Sequence, residues 1–294
     1  MMKKHSFCPI CAGEQLMEYA HVKDYFLTQE VFNVDQCIEC GLLLTNPFPE
    51  KSEISKYYDS SEYFSHPNKK KSIIGWAYEW VKKRNIRYKF KLATSGIIAG
   101  NVLDIGCGSG DFLFYAKNNF WNVTGIEPND NARAFSQKIT ESLIYHPEEI
   151  NSIADNSFDV ITMWHVLEHV EDLNEQCKQL RRLIKPGGRI VIALPNISSD
   201  DAKRYGNYWA GFDVPRHLYH FRFDQIRMLM NKHGFGFLKR EPLHWDAYYV
   251  SMLSEKYRNA RINPFRFIIN GWISNIKARK SREFSSNVYI FYAV

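Results

Sequence analysis

The sequence predicts an α/β fold, an open, doubly wound, mostly parallel sheet, with a small cysteine-rich module ahead of it. Three observations predict it. A buried-strand pattern ending in Val102 and Leu103 runs into Gly106, Gly108 and Gly110, spaced G-x-G-x-G, and then into a helical pattern opened by Phe112, Leu113, Tyr115 and Ala116. A second strand pattern, Asn122 to Ile126, follows and ends on Glu127, 21 residues past Gly106. Two C-x-x-C pairs, Cys8 with Cys11 and Cys37 with Cys40, precede all of this. Strand, tight turn, helix and strand in that order is the alternation from which a parallel sheet is wound.

At the N-terminus, Met1 to Pro9 lacks the apolar core of a secretion signal, and no run of about 18 apolar residues occurs, so a cytoplasmic location without a membrane-spanning helix is expected. The 294 residues suffice for one large domain and one small one, and 45% apolar with 24% charged residues is ordinary for a soluble globular protein. No internal repeat or low-complexity stretch is visible. The cysteine pairs are separated by 25 residues, a spacing that suits a tetrahedral structural zinc held by Cys8, Cys11, Cys37 and Cys40. In a reducing compartment thiolates hold metal rather than pair with one another. A segment this short buries little core, so the metal would supply folding energy. A redox pair is the rival, but it needs no second knuckle. Cys107 and Cys177 stand alone, and Cys107, inside the glycine turn, reads as small packing.

Residues 1–45 are therefore a zinc-ribbon-like module. Asn46-Pro47-Phe48-Pro49 reads as a linker. Residues 46–95 continue as an aromatic and basic segment. Tyr57, Tyr58, Tyr63 and Phe64 could pack on the main domain's mouth, and residues 67–95 look helical. The main domain runs over residues 96–294.

The glycine turn and Glu127 carry the chemistry. Glycine lets the backbone turn sharply and approach a ligand closely. The spacing is not the G-x-G-x-x-G of a dinucleotide site, and no Gly-Lys-Ser/Thr of a phosphate loop follows. A carboxylate closing the second strand is placed to meet both hydroxyls of a ribose. With these residues the chain resembles the class I S-adenosylmethionine-dependent methyltransferases. Ser157 to Ile161 resembles that family's fourth strand, and Leu183 to Gly188 the turn into its fifth, Arg189 to Leu194. His165 to Val170 and Asp213 to Leu218 resemble segments of the branch that includes the ubiquinone-type methyltransferases. The resemblance spans residues 96–245. It implies a seven-stranded Rossmann-like sheet whose last strand is antiparallel. Phe235 to Lys239 and Val288 to Val294 are read as the last two strands, with a helical insertion at about 245–286 between them.

The resemblance also implies S-adenosylmethionine as cofactor. Asp104 and the amides about Gly106, Gly108 and Gly110 would contact its methionine part. Glu127 would take the ribose, Ile126 and Pro128 would flank the adenine, and Trp164, ending the fourth strand, would belong to the same pocket. No acidic residue of Ile144 to Glu149 is singled out for the adenine amine. The general base would come from the lip above strands four and five. His165, at the end of strand four, is the first candidate, His217 stands on a lid after strand five, and His169, with Glu168, starts the next helix. His165-x-x-Glu168-His169 also matches a zinc-peptidase pattern, but that pattern needs both histidines on one helix face, and His165 reads as the end of a strand.

Charge is uneven. Residues 66–95 carry a net +8 and residues 254–286 a net +6, although the whole chain carries +6, so the remainder is −8. Basic segments on an acidic protein attract anionic partners. The second segment also contains an apolar stripe, Phe265, Ile268, Ile269, Trp272, Ile273 and Ile276, at helical spacing after Pro264. Either a helix packed over the site or one lying on a membrane surface has such a stripe.

These readings lead to a methyltransferase acting on a small-molecule or lipid/sugar-linked acceptor, at oxygen, with carbon methylation of an activated sugar a close variant. The protein would be peripheral at the inner membrane surface if the basic segments touch lipid. An RNA methyltransferase is the alternative, and nucleic acid is disfavoured by the zinc loop, where Glu14, Glu18, Asp24, Glu30 and Asp35 face a single Lys23. A cofactor-binding scaffold without turnover is the third reading.

Overall fold

The computed structural model describes residues 1–50, 52–58 and 73–294. Tyr63, Phe64 and residues 67–72 of the basic segment lie outside that set. The first strands are β1 (Met2–Lys3), β2 (Leu16–Lys23), β3 (Val31–Cys37), β4 (Leu43–Thr45) and β5 (Phe48–Pro49). Helix α1 (Ile73–Thr94) leads to β6 (Asn101–Ile105), α2 (Asp111–Lys117), β7 (Asn122–Ile126), α3 (Asp130–Thr140) and β8 (Ile144–Tyr145). Then come β9 (Phe158–Trp164), α4 (Leu173–Leu183), β10 (Ile184–Pro195), α5 (Asp200–Tyr205) and β11 (Tyr219–His220). The chain ends with α6 (Phe223–Lys232), β12 (Phe235–Pro242), α7 (Asp246–Asn259), α8 (Pro264–Ser281) and β13 (Ser286–Ala293).

Seven strands form the main sheet in the order β12-β13-β10-β9-β6-β7-β8. Strands β6 to β10 pair parallel, and β13 runs antiparallel to both β10 and β12. The fold class is as the sequence predicts. The central strands read as continuous apolar runs because helices cover both faces: Ile190 to Leu194 and Val288 to Phe291 are fully buried. Helix α4 shows how the local code works. Asp172 caps it by accepting from Glu175 N at 2.9 Å, and Leu173, Cys177, Leu180 and Leu183 fall on its one buried face.

The N-terminal strands make a second sheet, in the order β11-β4-β3-β2, and β11 comes from the main domain. The two parts share a core: Cys8, Ile10, Leu44 and Phe48 belong to one apolar cluster with Leu218, Tyr219 and main-sheet residues such as Leu103 and Ile161. A buried ion triad crosses the same junction. Arg216 donates to Asp24 Oδ1 at 2.9 Å, to Asp213 Oδ1 at 2.7 Å and to the Tyr57 carbonyl at 2.9 Å. Paired on two sides, such a cation repays its desolvation, whereas removal of one partner would strand a buried charge. Of the aromatic segment, Tyr57 is buried and Tyr58 reaches His169.

The insertion before β13 is the helical pair α7 and α8. Asn263 caps α8, accepting from Arg266 N at 3.2 Å, and Pro264 takes the first turn. The buried face of α8 is not its apolar stripe. It is Gly271, Ser274 and Ala278. A Cβ on Gly271 would stand 3.0 Å from Tyr248 Cα, so the absence of a side chain is what lets α7 and α8 approach. The stripe from Phe265 to Ile276 therefore points outward. No helix of the described residues is long and apolar enough to cross a membrane.

Candidate functional site

The glycine turn is tied to β7 from both sides. Gly106 N and Cys107 N donate to the Ile126 carbonyl at 2.7 and 3.1 Å. Gly108 N donates to Glu127 Oε2 at 2.8 Å and Asn129 N to Glu127 Oε1 at 2.9 Å, so the carboxylate is 7% exposed and locked at the strand end. Gly106 has φ +70° and a Cβ there would meet Val166 at 2.5 Å. Gly108, at φ +53°, has no atom within 4 Å of where a Cβ would stand. The turn thus offers an open cradle of backbone, with Gly110 capping α2 behind it and Pro128 exposed at the rim.

The opposite wall is charged. Asp104, 2% exposed, accepts from Thr162 Oγ1 at 2.6 Å. Burial pushes its carboxyl up to about 7, against the Thr162 hydrogen bond and the Lys89 charge that pull it down. Lys89 reaches in from α1, its ammonium 4.8 Å from the centre of the Trp164 ring. Burial lowers its pKa while Asp246 and Asp104 raise it. Trp164 packs 5.5 Å from Phe112, and its buried Nε1 has no hydrogen-bond partner among the described residues. Cys107 is a buried thiol that burial holds well above its usual range, in keeping with a packing role. After β8, Glu149 is spent on capping the turn that His146 opens.

The three histidines converge next to this wall. His165 follows β9 in the left-handed region, φ +59°, a conformation an L-residue holds only where its surroundings demand it. Its Nε2 lies 3.0 Å from Asp246 Oδ2 and its Nδ1 3.4 Å from Glu168 Oε1. Burial would lower its pKa, but the two carboxylates override that and raise it to about 9. Glu168 is fully buried and lies 4.0 Å from His217 Nε2 on its other side. His217 Nδ1 is 2.9 Å from the Gly211 carbonyl, which can only accept, so Nδ1 carries a proton, and Nε2 faces Glu168 and Asp213. His169 is fixed in the same way, Nδ1 on the Arg216 carbonyl at 2.9 Å, and burial lowers it to about 4. Glu168, His169 and His217 bring a carboxylate oxygen and two imidazole nitrogens within 4.8 Å of one another, a donor set of the kind that holds a divalent cation. The zinc-peptidase spacing is not realised: His165 follows a strand and Leu167–His169 is a single tight turn.

The fourfold cysteine site also forms. Cys8 and Cys40 sulfurs lie 3.5 Å apart, as do those of Cys11 and Cys37, and all four fall within 4.8 Å. Zinc–sulfur bonds of about 2.3 Å in a tetrahedron require sulfurs about 3.8 Å apart, so the four thiols fit the ion.

Lys89, Thr162 and Asp246 are site residues that the sequence reading did not single out. Lys89 shares a helix face with the buried Leu92 and Ala93, a spacing that marks an inward residue amid solvated cations. Asp246 had no local signal, since its insertion is distant in sequence from β9.

A family model described as a methyltransferase domain matches residues 65–239. The chain belongs to that family. Its methyltransferase domain is of the class I, S-adenosylmethionine-dependent kind. The chain is 33% identical over 119 residues to a ubiquinone biosynthesis O-methyltransferase of Sodalis glossinidius, covering 38% of this chain and 48% of that protein. It is 31% identical over 110 residues to a demethylmenaquinone methyltransferase of Listeria monocytogenes, covering 33% and 46%. The chain thus spans about half the length of the curated relatives it matches. Among solved structures it is similar to phosphoethanolamine N-methyltransferase 2 of Haemonchus contortus in complex with S-adenosyl-L-methionine, at 18% identity and TM-score 0.54, covering 92% of this chain and 71% of that one. At that identity the likeness is one of fold.

Proposed function

We propose that this protein transfers a methyl group from S-adenosylmethionine to a hydroxyl oxygen of a small-molecule or lipid/sugar-linked acceptor. The observation that carries the reading is the juxtaposition of an open backbone cradle ended by a locked carboxylate, Gly106 to Glu127, with a partly buried histidine–carboxylate chain beside it. The relatives named for quinone methylation support an acceptor of that size class. When bound, S-adenosylmethionine supplies a methyl carbon already activated on a sulfonium.

The residues then have distinct tasks. Glu127 accepts from both ribose hydroxyls and Pro128 flanks the base. Lys89 and Asp104 would complement the carboxylate and ammonium of the methionine end, and Gly108 leaves the backbone open beside it. His165, held between Asp246 and Glu168, is cationic at neutral pH, so it orients the chain rather than taking a proton. His217 would be the base: Gly211 holds its Nδ1 proton, and Nε2 would take the proton of the acceptor hydroxyl whose oxygen receives the methyl group. General-base help of this kind is worth about 10²–10⁴ in rate. His169 stacks edge-on against His217, centroids 4.6 Å apart, and positions it. The four cysteines hold a structural zinc that stabilises the N-terminal sheet.

The test is transfer of radiolabelled methyl groups to cell extracts fractionated into lipids, small molecules and RNA. Label is expected in the first two. Label in RNA alone would transfer the reading to the RNA alternative, and none in any fraction would leave a binding scaffold. In the same assay His217→Gln should lower turnover about 100-fold or more with donor affinity unchanged. An unaltered rate would remove His217 as the base.

Asp104 makes donor binding pH-dependent. With its carboxyl raised to about 7, it is ionised above that value and neutral below it. Affinity for S-adenosylmethionine should therefore fall as pH drops through 7, by up to about tenfold per unit. Titration calorimetry across neutrality checks this. A profile equally steep in Asp104→Asn would assign the dependence to another group.

A further inference from the structure

Helix α8 is built inside out. Its buried residues are Gly271, Ser274 and Ala278, while Phe265 is 79% exposed, Trp272 57%, Ile269 52% and Ile268 50%. These side chains, with Ile276, form one stripe, and at about 1.5 Å per residue it is about 16 Å long. Isolated exposed apolar residues need no explanation, but a continuous stripe of them, rimmed by charge, marks a surface that meets something.

The rim says what. Arg266 lies within the first turns of the helix, Arg279, Lys280 and Arg282 close it, and Arg258 and Arg261 stand on the segment leading in. At the N-terminal end, Arg204, Arg258, Arg266 and Asn270 line an open cavity of about 330 Å³. The one carboxylate in its wall is occupied by neutral donors: Glu255 accepts from Tyr205 Oη at 3.2 Å, Asn270 Nδ2 at 3.1 Å and Asn259 Nδ2 at 2.7 Å. The other end of the stripe adjoins the methyl-transfer lip. Asn275 Nδ2 donates to the His244 carbonyl at 3.0 Å, two residues before the Asp246 that holds His165.

From this we infer that α8 lies in the interface of an anionic phospholipid bilayer, its stripe among the acyl chains and its arginine cavity on a headgroup phosphate. A second copy of the chain would bring two cationic rims together, which the charge opposes. A nucleic-acid grip would not expose isoleucine and phenylalanine between its cations. A helix of low overall hydrophobicity with apolar and basic residues on the outward side is the type that lies in a bilayer surface, where buried apolar area and attraction to anionic lipid add. The site's lip would then open beside the membrane plane, where a lipid-linked acceptor is concentrated. The inference does not depend on methyl transfer, and its test uses none.

The full-length protein is sedimented with phosphatidylcholine vesicles, with and without phosphatidylglycerol. Binding to the anionic vesicles alone is expected. It should weaken at least about tenfold in Phe265→Ser/Trp272→Ser and again in Arg258→Glu/Arg266→Glu, all at exposed or cavity-lining positions, with thermal melting unchanged. Several outcomes would overturn the inference: no sedimentation with either lipid, equal binding to neutral and anionic vesicles, or undiminished binding by the Phe265/Trp272 variant. So would a dimer in sedimentation velocity that this variant dissolves while vesicles have no effect, since a second copy would then cover the stripe.

Discussion

Glu127→Ala is expected to weaken S-adenosylmethionine binding by about 100-fold or more. The carboxylate closes β7 and is almost wholly buried, and its two oxygens now accept from Gly108 N and Asn129 N. A vicinal diol can donate to the same two oxygens. Hydrogen bonds to a charged group contribute about 1.5–3 kcal/mol each, so losing two costs about 3–6 kcal/mol, and 1.4 kcal/mol is tenfold in affinity. The variant also releases the amides that Glu127 holds, which loosens the turn. Calorimetric titration measures the effect, with thermal melting to confirm that the domain still folds. Binding within a few-fold of wild type would mean that the nucleoside sits elsewhere.

The second large effect is expected from Cys8→Ser/Cys11→Ser. Wild-type protein should contain one equivalent of zinc by metal analysis and the variant none. The whole chain, rather than an appended module, should lose stability. Cys8 and Cys37 are fully buried in the same cluster as Leu218, Tyr219 and the main sheet, and β11 of the main domain pairs with β4. Structural zinc binding amounts to about 10–16 kcal/mol in small modules. A loss of even about 3 kcal/mol is a large share of the 5–15 kcal/mol that holds a domain folded. A lower melting temperature across the full cooperative transition is the expected result. Loss of zinc with unchanged melting would show that the N-terminal sheet stands without its metal. Wild-type protein free of zinc would exclude that ion.

Much of the candidate site is legible in the sequence. The turn at Gly106 to Gly110, the strand ending in Glu127 and the positions of His165 and His217 each follow from a pattern within its own short segment. The start of α8 was equally legible, because Pro264 and the stripe are local signals. The direction in which the stripe faces was not. An apolar helix face is ordinarily the buried one, and nothing local says that the small residues opposite it have a closer-fitting neighbour. Lys89 and Asp246 were illegible for a related reason: Lys89 belongs to a basic segment of surface composition and Asp246 to an insertion remote in sequence from β9, and only packing turns their side chains inward. The shared core also blurs the boundary read near residue 45, since a strand contributed from residue 219 leaves no mark at residue 43.

By itself the sequence determined the class of fold, the donor cradle and the cysteine cluster, because each is made by the backbone or by side chains at short fixed spacing. Tertiary structure alone decided which titratable groups face one another. It set Asp246, His165, Glu168 and His217 in one row, half-buried at Asp246 and His165 and buried at Glu168 and His217, and it set Gly271, Ser274 and Ala278 against α7 so that the apolar side of α8 faces outward. The physical reason is that burial and charge pairing depend on distances between segments remote in sequence, and those distances are settled by which surfaces fit most closely.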